Sequence, residues 1–180
     1  MNHVIITGFM GSGKTAVGKR LAKRLGWAFV DLDELVEERE GRPIADIFES
    51  GGEQEFRRLE RSALADLELA SPAIVATGGG TFMDPANRRR LKELGVVVCL
   101  VADMDTILER VSRNDTRPLA AGRDSEARLR RLWEKRLPDY RKADVIVETD
   151  GLTVEQSAAR VLHMVKPRLQ ADGGERVDEG

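Results

Sequence analysis

The sequence predicts an α/β protein, a parallel β-sheet with helices on both faces. Two observations carry that prediction. Short apolar runs rich in β-branched residues alternate five times with stretches of helical periodicity, the pattern of a parallel sheet covered on both sides. The first run also leads directly into a glycine-rich loop that opens a helix, the strand–loop–helix unit that cradles phosphate groups.

The apolar runs are 4–7, 28–30, 73–77, 95–101 and 145–147. They lack alternation, as expected of strands buried on both faces. Residues 15–25 place Val17, Leu21 and Leu25 on one helical face, and 53–69 place Phe56, Leu59, Ala63, Leu64 and Leu67 on one face. Asp84 before Pro85 reads as an N-cap with proline at the first helical position, opening a helix that Gly95 stops. Asp103 caps a helix through Ile107, Leu108 and Val111. A further apolar face runs through Leu129, Leu132 and Trp133. Two segments break the pattern. Residues 112–124 are polar, with Arg113, Asn114, Asp115, Arg117, Pro118, Gly122 and Arg123, and a loop of that length in a compact domain is functional or mobile. The end of the chain, ADGGERVDEG, reads as a disordered tail. The expected organisation is one domain over 1–169, with a lid at about 112–124 and a tail over 170–180.

With 180 residues the chain is sized for one domain, and 41% apolar residues suffice for a core. Twenty-nine basic residues against 31 acidic ones leave no basic excess for binding nucleic acid. The longest apolar run, 96–102, is far short of the ~20 residues that cross a bilayer. The chain passes from Met1-Asn2-His3 into its first strand with no basic leader or cleavage site, so a cytoplasmic protein is expected. Its single cysteine, Cys99, is expected in the core, and the isolated His3 and His163 cannot build a zinc site with it. Trp27 and Trp133 are expected in the core too.

Gly8-Phe9-Met10-Gly11-Ser12-Gly13-Lys14-Thr15 fits the phosphate-loop pattern G-x-x-x-x-G-K-[ST] between a strand and a helix. Its glycines let backbone N–H groups turn towards phosphate oxygens, and the helix N-terminus adds positive character. Lys14 is expected at the β- and γ-phosphates and the Thr15 hydroxyl on Mg²⁺. The expected nucleotide-binding set is Gly11, Ser12, Gly13, Lys14, Thr15 and Ala16. No Asn-Lys-x-Asp base-reading motif occurs, which argues against a GTPase. The third strand ends Ala76-Thr77-Gly78-Gly79-Gly80 without the metal-holding carboxylate of motor ATPases. A small-molecule or nucleotide kinase fits better.

The second strand ends Asp31-Leu32-Asp33, and strand alternation sends both aspartates to one side at the ligand-binding end of the sheet. One can hold the Mg²⁺ shell through water and the other can take the proton of an attacking hydroxyl; a helix N-cap at Asp33 is the plainer alternative. Arg57 lies beside an apolar stripe and one turn before Glu60, which could hold its guanidinium; a solvated surface arginine is its alternative. Arg136 follows Leu129 by seven residues and Trp133 by three, so it falls on the apolar face and needs an anionic partner. That partner is either an internal carboxylate or the carboxylate of a substrate. Gly78, Gly79 and Gly80 form either a flexible turn or a place where backbone N–H groups approach a ligand.

Together with Phe56-Arg57-x-x-Glu60, Arg117-Pro118-Leu119 and Arg136-x-Pro138-x-Tyr140, these motifs occur in the order and approximate spacing of shikimate kinase, which the chain resembles from residue 1 to about 168. The resemblance implies a three-layer α/β/α phosphate-loop kinase with a five-stranded sheet in the order 2-3-1-4-5 and a mobile lid. It implies transfer of the γ-phosphate of ATP to the 3-hydroxyl of shikimate on the route to chorismate and the aromatic amino acids. Asp33, Arg57, Gly79 and Arg136, with Gly78 and Gly80 beside them, resemble the shikimate ligands, and both arginines the carboxylate partners. Lys14 and Arg117 resemble the stabilisers of phosphate charge, Thr15 the Mg²⁺ ligand and Asp31 the magnesium carboxylate behind it. Arg110 resembles the arginine stacked on adenine, with Arg113 the neighbouring candidate; Thr153 and Val154 lie where relatives make a late adenine contact. The partners implied are ATP and shikimate, with no nucleic acid or membrane, and a monomer is expected. Ala120 departs from the family pattern, where many relatives have a second leucine. A gluconate kinase would share the phosphate loop without requiring Arg57, Glu60 and Arg136 together. A silent ligand-binding module would have no need of Lys14, Asp33 and Arg117 together.

Overall fold

The computed structural model describes residues 3–112 and 125–171. Its strands are β1 (His3–Gly8), β2 (Ala28–Asp31), β3 (Ala73–Ala76), β4 (Gly95–Val101) and β5 (Val145–Glu148). They form one sheet in the order β2-β3-β1-β4-β5, with every neighbouring pair parallel. All five expected strands are present and the implied order is observed. The helices are α1 (Lys14–Leu25), α2 (Leu32–Glu40), α3 (Ile44–Ala65), α4 (Pro85–Leu94), α5 (Met104–Ser112), α6 (Ser125–Tyr140) and α7 (Val154–Ala171), with a 3-10 turn over Thr81–Met83.

Successive side chains of a strand face opposite ways, and β1 feeds two cores. Val4 and Ile6 pack with Val17 and Leu21 of α1 and with Val161 and Val165 of α7. Ile5 packs on the other side with Val75, Phe82, Leu91, Val97 and Ile107. Phe82, Ile5 and Ile6 are fully buried, each contributing ~1.5–3 kcal/mol of apolar transfer. Cys99 lies in the second of these cores, where burial pushes its thiol pKa up to about 12. β5 departs from the expected unalternating pattern: Val145 and Val147 are buried while Ile146 and Glu148 are exposed. It is an edge strand, buried on the face that α7 covers.

The caps follow the sequence. Asp84 Oδ1 accepts from the Ala86 N–H at 2.7 Å with Pro85 at the first helical position, and Asp103 Oδ1 accepts from the Thr106 N–H at 2.6 Å. Gly95 ends α4 with extended backbone and starts β4. Two helices, α2 and α7, add to those expected. The first is capped by Asp31. The second opens on a capping box, in which Thr153 Oγ1 accepts from the Gln156 N–H at 3.2 Å and Gln156 Oε1 accepts from the Thr153 N–H at 2.9 Å. The helix expected over 53–69 instead begins at Ile44 and ends at Ala65, interrupted at Gly52, whose φ of 69° and ψ of −173° only glycine adopts readily. The last helix runs through Ala171, past the expected boundary at 169. The expected lid, with Arg113 and Arg117, and the tail from 172 lie outside the described residues. No helix among the described residues is long and apolar enough to cross a membrane.

Candidate active site

Parallel strands bring all their carboxyl ends to one edge, and two cavities open there. The first is built by the glycine-rich loop between β1 and α1. Gly8, Gly11 and Gly13 have φ of 145°, 78° and 91°, conformations that side chains resist. A Cβ at Gly8 would also run into the Leu100 carbonyl of β4. Gly13 caps α1 without a side-chain hydrogen bond, so the first N–H groups of the helix have no side-chain cap, and an anion can take that place. A cavity of about 570 Å³ lies over this end, lined by every residue from Gly11 to Val17. Arg110, Thr149, Leu152, Thr153 and Val154 form its far wall.

Lys14 is buried, and its Nζ donates to the Phe9 carbonyl at 3.0 Å, bridging its own loop. Thr15 Oγ1 donates to Asp31 Oδ2 at 2.9 Å. The other oxygen of Asp31, Oδ1, accepts from the Asp33 N–H at 3.0 Å and caps α2. The alternation expected to send Asp31 and Asp33 the same way therefore stops at Asp31. The strand ends there because the Asp31 side chain competes for the next backbone N–H and turns the chain into a helix. The cap is Asp31, and Asp33 stands in the first turn of α2. Arg110 spans the cavity wall, with its two Nη groups 3.4 Å from the carbonyls of Gly11 and Thr149.

A second cavity, of about 310 Å³, is lined by Arg57, Glu60, Gly80, Asn87 and Arg136 among others. The Gly78–Gly80 turn after β3 organises it. A Cβ on Gly78 would stand 2.7 Å from Asp33 Oδ1 and 2.8 Å from Glu60 Oε1. A Cβ on Gly80 would overlap the Arg57 guanidinium, and one on Gly79 would stand 3.7 Å from Arg136 Nη1. Crowding thus explains glycine at 78 and 80, where a Cβ would meet Asp33 and Glu60 or the Arg57 guanidinium, whereas one at Gly79 would make only ordinary contacts. Gly79 also abuts the phosphate loop, its Cβ position being 3.5 Å from the Met10 N atom and 3.7 Å from the Gly8 carbonyl oxygen. The turn that ends in Gly80 of the second cavity thus lies beside the loop that builds the first.

Arg57 bonds Glu60 at 2.9 Å and Glu53 at 3.2 Å, and its Cζ stands 5.1 Å from the Phe56 ring. Burial opposes its charge, but Glu60 and Glu53 outweigh burial and raise its pKa. Glu60 is fully buried, and its second oxygen accepts from Thr81 Oγ1 at 2.5 Å. The Arg57–Glu60 pairing expected from one-turn spacing is therefore present. For Arg136, the partner among the described residues is a backbone carbonyl, not an internal carboxylate. Arg136 donates to the Gly79 carbonyl at 3.2 Å, and its Cζ stands 5.9 Å from the Phe9 ring.

Of the expected site residues, Gly11 to Ala16, Arg110, Thr153 and Val154 line the first cavity, with Asp31 bonded to Thr15, and Arg57, Gly80 and Arg136 line the second, with Gly79 bonded to Arg136 and Asp33 beside Gly78. Arg117 lies outside the described residues. Sequence reasoning gave no role to Thr149, at the end of the last strand, or to Thr81. Thr149 had no signal beyond its place before the Asp150-Gly151 turn. Thr81 follows the glycines directly, which was a usable one.

The Thr15 hydroxyl and the Asp31 carboxylate, one hydrogen bond apart at the nucleotide end, are hard oxygen donors. They fit Mg²⁺, which takes one or two protein oxygens and completes its shell with phosphate and water.

Comparison with known proteins supplies a family. The family model described as shikimate kinase matches residues 10–166. A shikimate kinase of Thermodesulfovibrio yellowstonii is 41% identical over 90% of this chain and 94% of its own length. One of Cereibacter sphaeroides is 46% identical over 92% of this chain and 83% of its own. Among solved structures, shikimate kinase from Acinetobacter baumannii in complex with shikimate superposes with a TM-score of 0.87 at 35% identity, covering 93% of this chain and 94% of that one.

Proposed function

The chain belongs to the shikimate kinase family, as an ATP-dependent kinase that carries the γ-phosphate of ATP to the 3-hydroxyl of shikimate, and from that premise we propose how its residues divide the work. ATP takes the 570 Å³ cavity, with its phosphates on the N–H groups of Gly11 to Ala16 and its base towards Arg110, Thr153 and Val154. Shikimate takes the second cavity, its carboxylate on Arg57 and Arg136 and its ring against Gly78, Gly79 and Gly80. The observation that carries this division is the place of Gly79, which lies beside the phosphate loop and whose carbonyl bonds Arg136 of the second cavity. A hydroxyl held there meets the end of the triphosphate.

Asp33, beside Gly78, takes the hydroxyl proton as the oxygen attacks the γ-phosphorus. The bond from that phosphorus to the ADP oxygen breaks as the new one forms. Lys14 leaves the Phe9 carbonyl for the β- and γ-oxygens, where charge collects. Arg117 is given the same duty. Mg²⁺, when bound, neutralises phosphate charge; Thr15 would ligate it and Asp31 would hold its shell. The enzyme is taken as a cytoplasmic monomer, and a solution mass near 20.0 kDa would bear out the monomer. The one domain is taken to include all of α7, two residues past the boundary expected at 169.

An ADP-release assay with shikimate, with gluconate and with no acceptor tests the acceptor assignment. ADP release is expected with shikimate alone. Equal release with gluconate, itself a carboxylate, would overturn shikimate as the acceptor that the second cavity selects.

A further inference from the structure

Tyr140 is the chain's one tyrosine. It closes α6, is 2% exposed, and its hydroxyl donates to the Gly79 carbonyl at 2.5 Å. That same carbonyl accepts from Arg136 at 3.2 Å. A carbonyl oxygen has two lone pairs, and these two donors fill both. The peptide that follows joins Gly79 to Gly80. With glycine on each side it has little side-chain restraint of its own. Its N–H is fixed opposite its C=O by the planarity of the bond, so holding the carbonyl also fixes the Gly80 side. Gly80 in turn lies against the Arg57 guanidinium. One peptide thus stands between the two arginines of the acceptor cavity.

The end of α6 is itself anchored. Asp139 pairs with Arg88 at 3.0 Å, and the same Arg88 nitrogen donates to the Phe82 and Met83 carbonyls of the 3-10 turn. Pro138 withholds one N–H from the helix, so the last turn can adjust to the anchor. Burial raises the Tyr140 pKa well above its ordinary value, against the opposing charge of Arg136, so the hydroxyl keeps its proton and remains a donor.

Resting on the acceptor-cavity reading, we propose that Tyr140 is a positioning residue for the acceptor: its hydroxyl clamps the Gly79–Gly80 peptide and so sets the separation of Arg57 and Arg136. Without it the peptide swings, and Arg136 is left as the carbonyl's one donor among the described residues, held away from a substrate carboxylate.

Tyr140→Phe keeps the ring and removes the hydroxyl. The expected result is a KM for shikimate raised about five- to tenfold, the scale of one lost hydrogen bond, with kcat and the KM for ATP within about twofold of wild type. A second measurement needs no variant. In wild-type enzyme labelled at the tyrosine Cζ, the lone resonance is expected to shift on titration with shikimate alone. An unchanged shikimate KM in folded Tyr140→Phe overturns the proposal. So do parallel changes in both KM values, which mark a merely structural role, and so does a resonance unmoved at saturating shikimate. If Tyr140→Phe does not fold, the resonance decides. Arg57→Ala and Arg136→Ala are measured alongside: normal shikimate affinity in both would sink the acceptor-cavity reading itself, whereas its loss in both beside an unaffected Tyr140→Phe would sink only the role of Tyr140.

Discussion

Asp31 serves two elements with its two oxygens, one capping α2 and one meeting Thr15. Asp31→Asn retains an oxygen for the cap but no carboxylate charge, so stability should change by less than the ~1 kcal/mol of a lost cap, while the Mg²⁺ concentration needed for half-maximal activity should rise. A large fall in Tm with unchanged Mg²⁺ demand would show the residue to be only a cap. Asp33→Asn should lower turnover ~10²-fold or more with ATP affinity retained, as for loss of a general base. The two arginines should part company in stability. Both alanine variants should raise the shikimate KM, but Arg57→Ala also strands the buried charge of Glu60. Thermal melts should show Arg57→Ala well below Arg136→Ala, whose lost partner is an uncharged carbonyl. Lysine at either position should not restore affinity fully, lacking the planar fork of arginine.

At the scale of elements, the Gly78–Gly80 turn lies between the phosphate loop and the side chains of Asp33, Glu60, Arg57 and Arg136. Gly80→Ala should push Arg57 aside and raise the shikimate KM while sparing the KM for ATP. Gly78→Ala presses on Asp33, Glu60 and Thr81 at once and should cost both turnover and stability. Steady-state kinetics beside melting curves separate the two; equal effects on both substrates would refute the division of cavities. These elements differ in how legible they were. The phosphate loop, the caps at Asp84 and Asp103 and the Arg57–Glu60 spacing are local patterns. The first helix half, from Ile44 to Gly51, is masked by the glycine pair that interrupts it. At Asp31-Leu32-Asp33 a carboxylate at either position could cap a helix; the plainer alternative was an N-cap at Asp33, and the hydrogen bond from the Asp33 N–H places the cap at Asp31.

For the whole molecule, both cavities lie at the carboxyl edge of one sheet, so ligands and fold are thermodynamically linked. A ligand at one hundred times its Kd should add about 2.7 kcal/mol of stability, some 5–10 °C in Tm for a chain of this size. Lys14→Met should abolish most of the shift due to ATP and leave that due to shikimate. The core sets an alkaline limit as well. The folded Cys99 pKa, about 12, exceeds its ordinary 9.0, so its contribution is intact below pH 9 and declines as pH rises from 9 towards 12. The slope is ~1.4 kcal/mol per pH unit for one such group. Urea midpoints at pH 8 and 10.5 should fall less for Cys99→Ala than for wild type; an equal fall would mean that Cys99 is not the limiting acid.

The sequence by itself determined the strands, the phosphate loop and the Arg57–Glu60 pair, because each is written in neighbouring residues or in one helical turn. It also carried the family pattern on which the sheet order rested. Only the tertiary structure decided what Arg136 touches, why glycine stands at 78 and 80, and that Tyr140 closes on Gly79. The Arg136 and Tyr140 contacts join positions some sixty residues apart and depend on how α6 lies across the end of β3, while the glycine contacts depend on how α2 and α3 lie beside it. Local spacing fixes a residue's place on its own element. The distance between two elements follows from the packing of the core between them, which no single stretch of chain encodes.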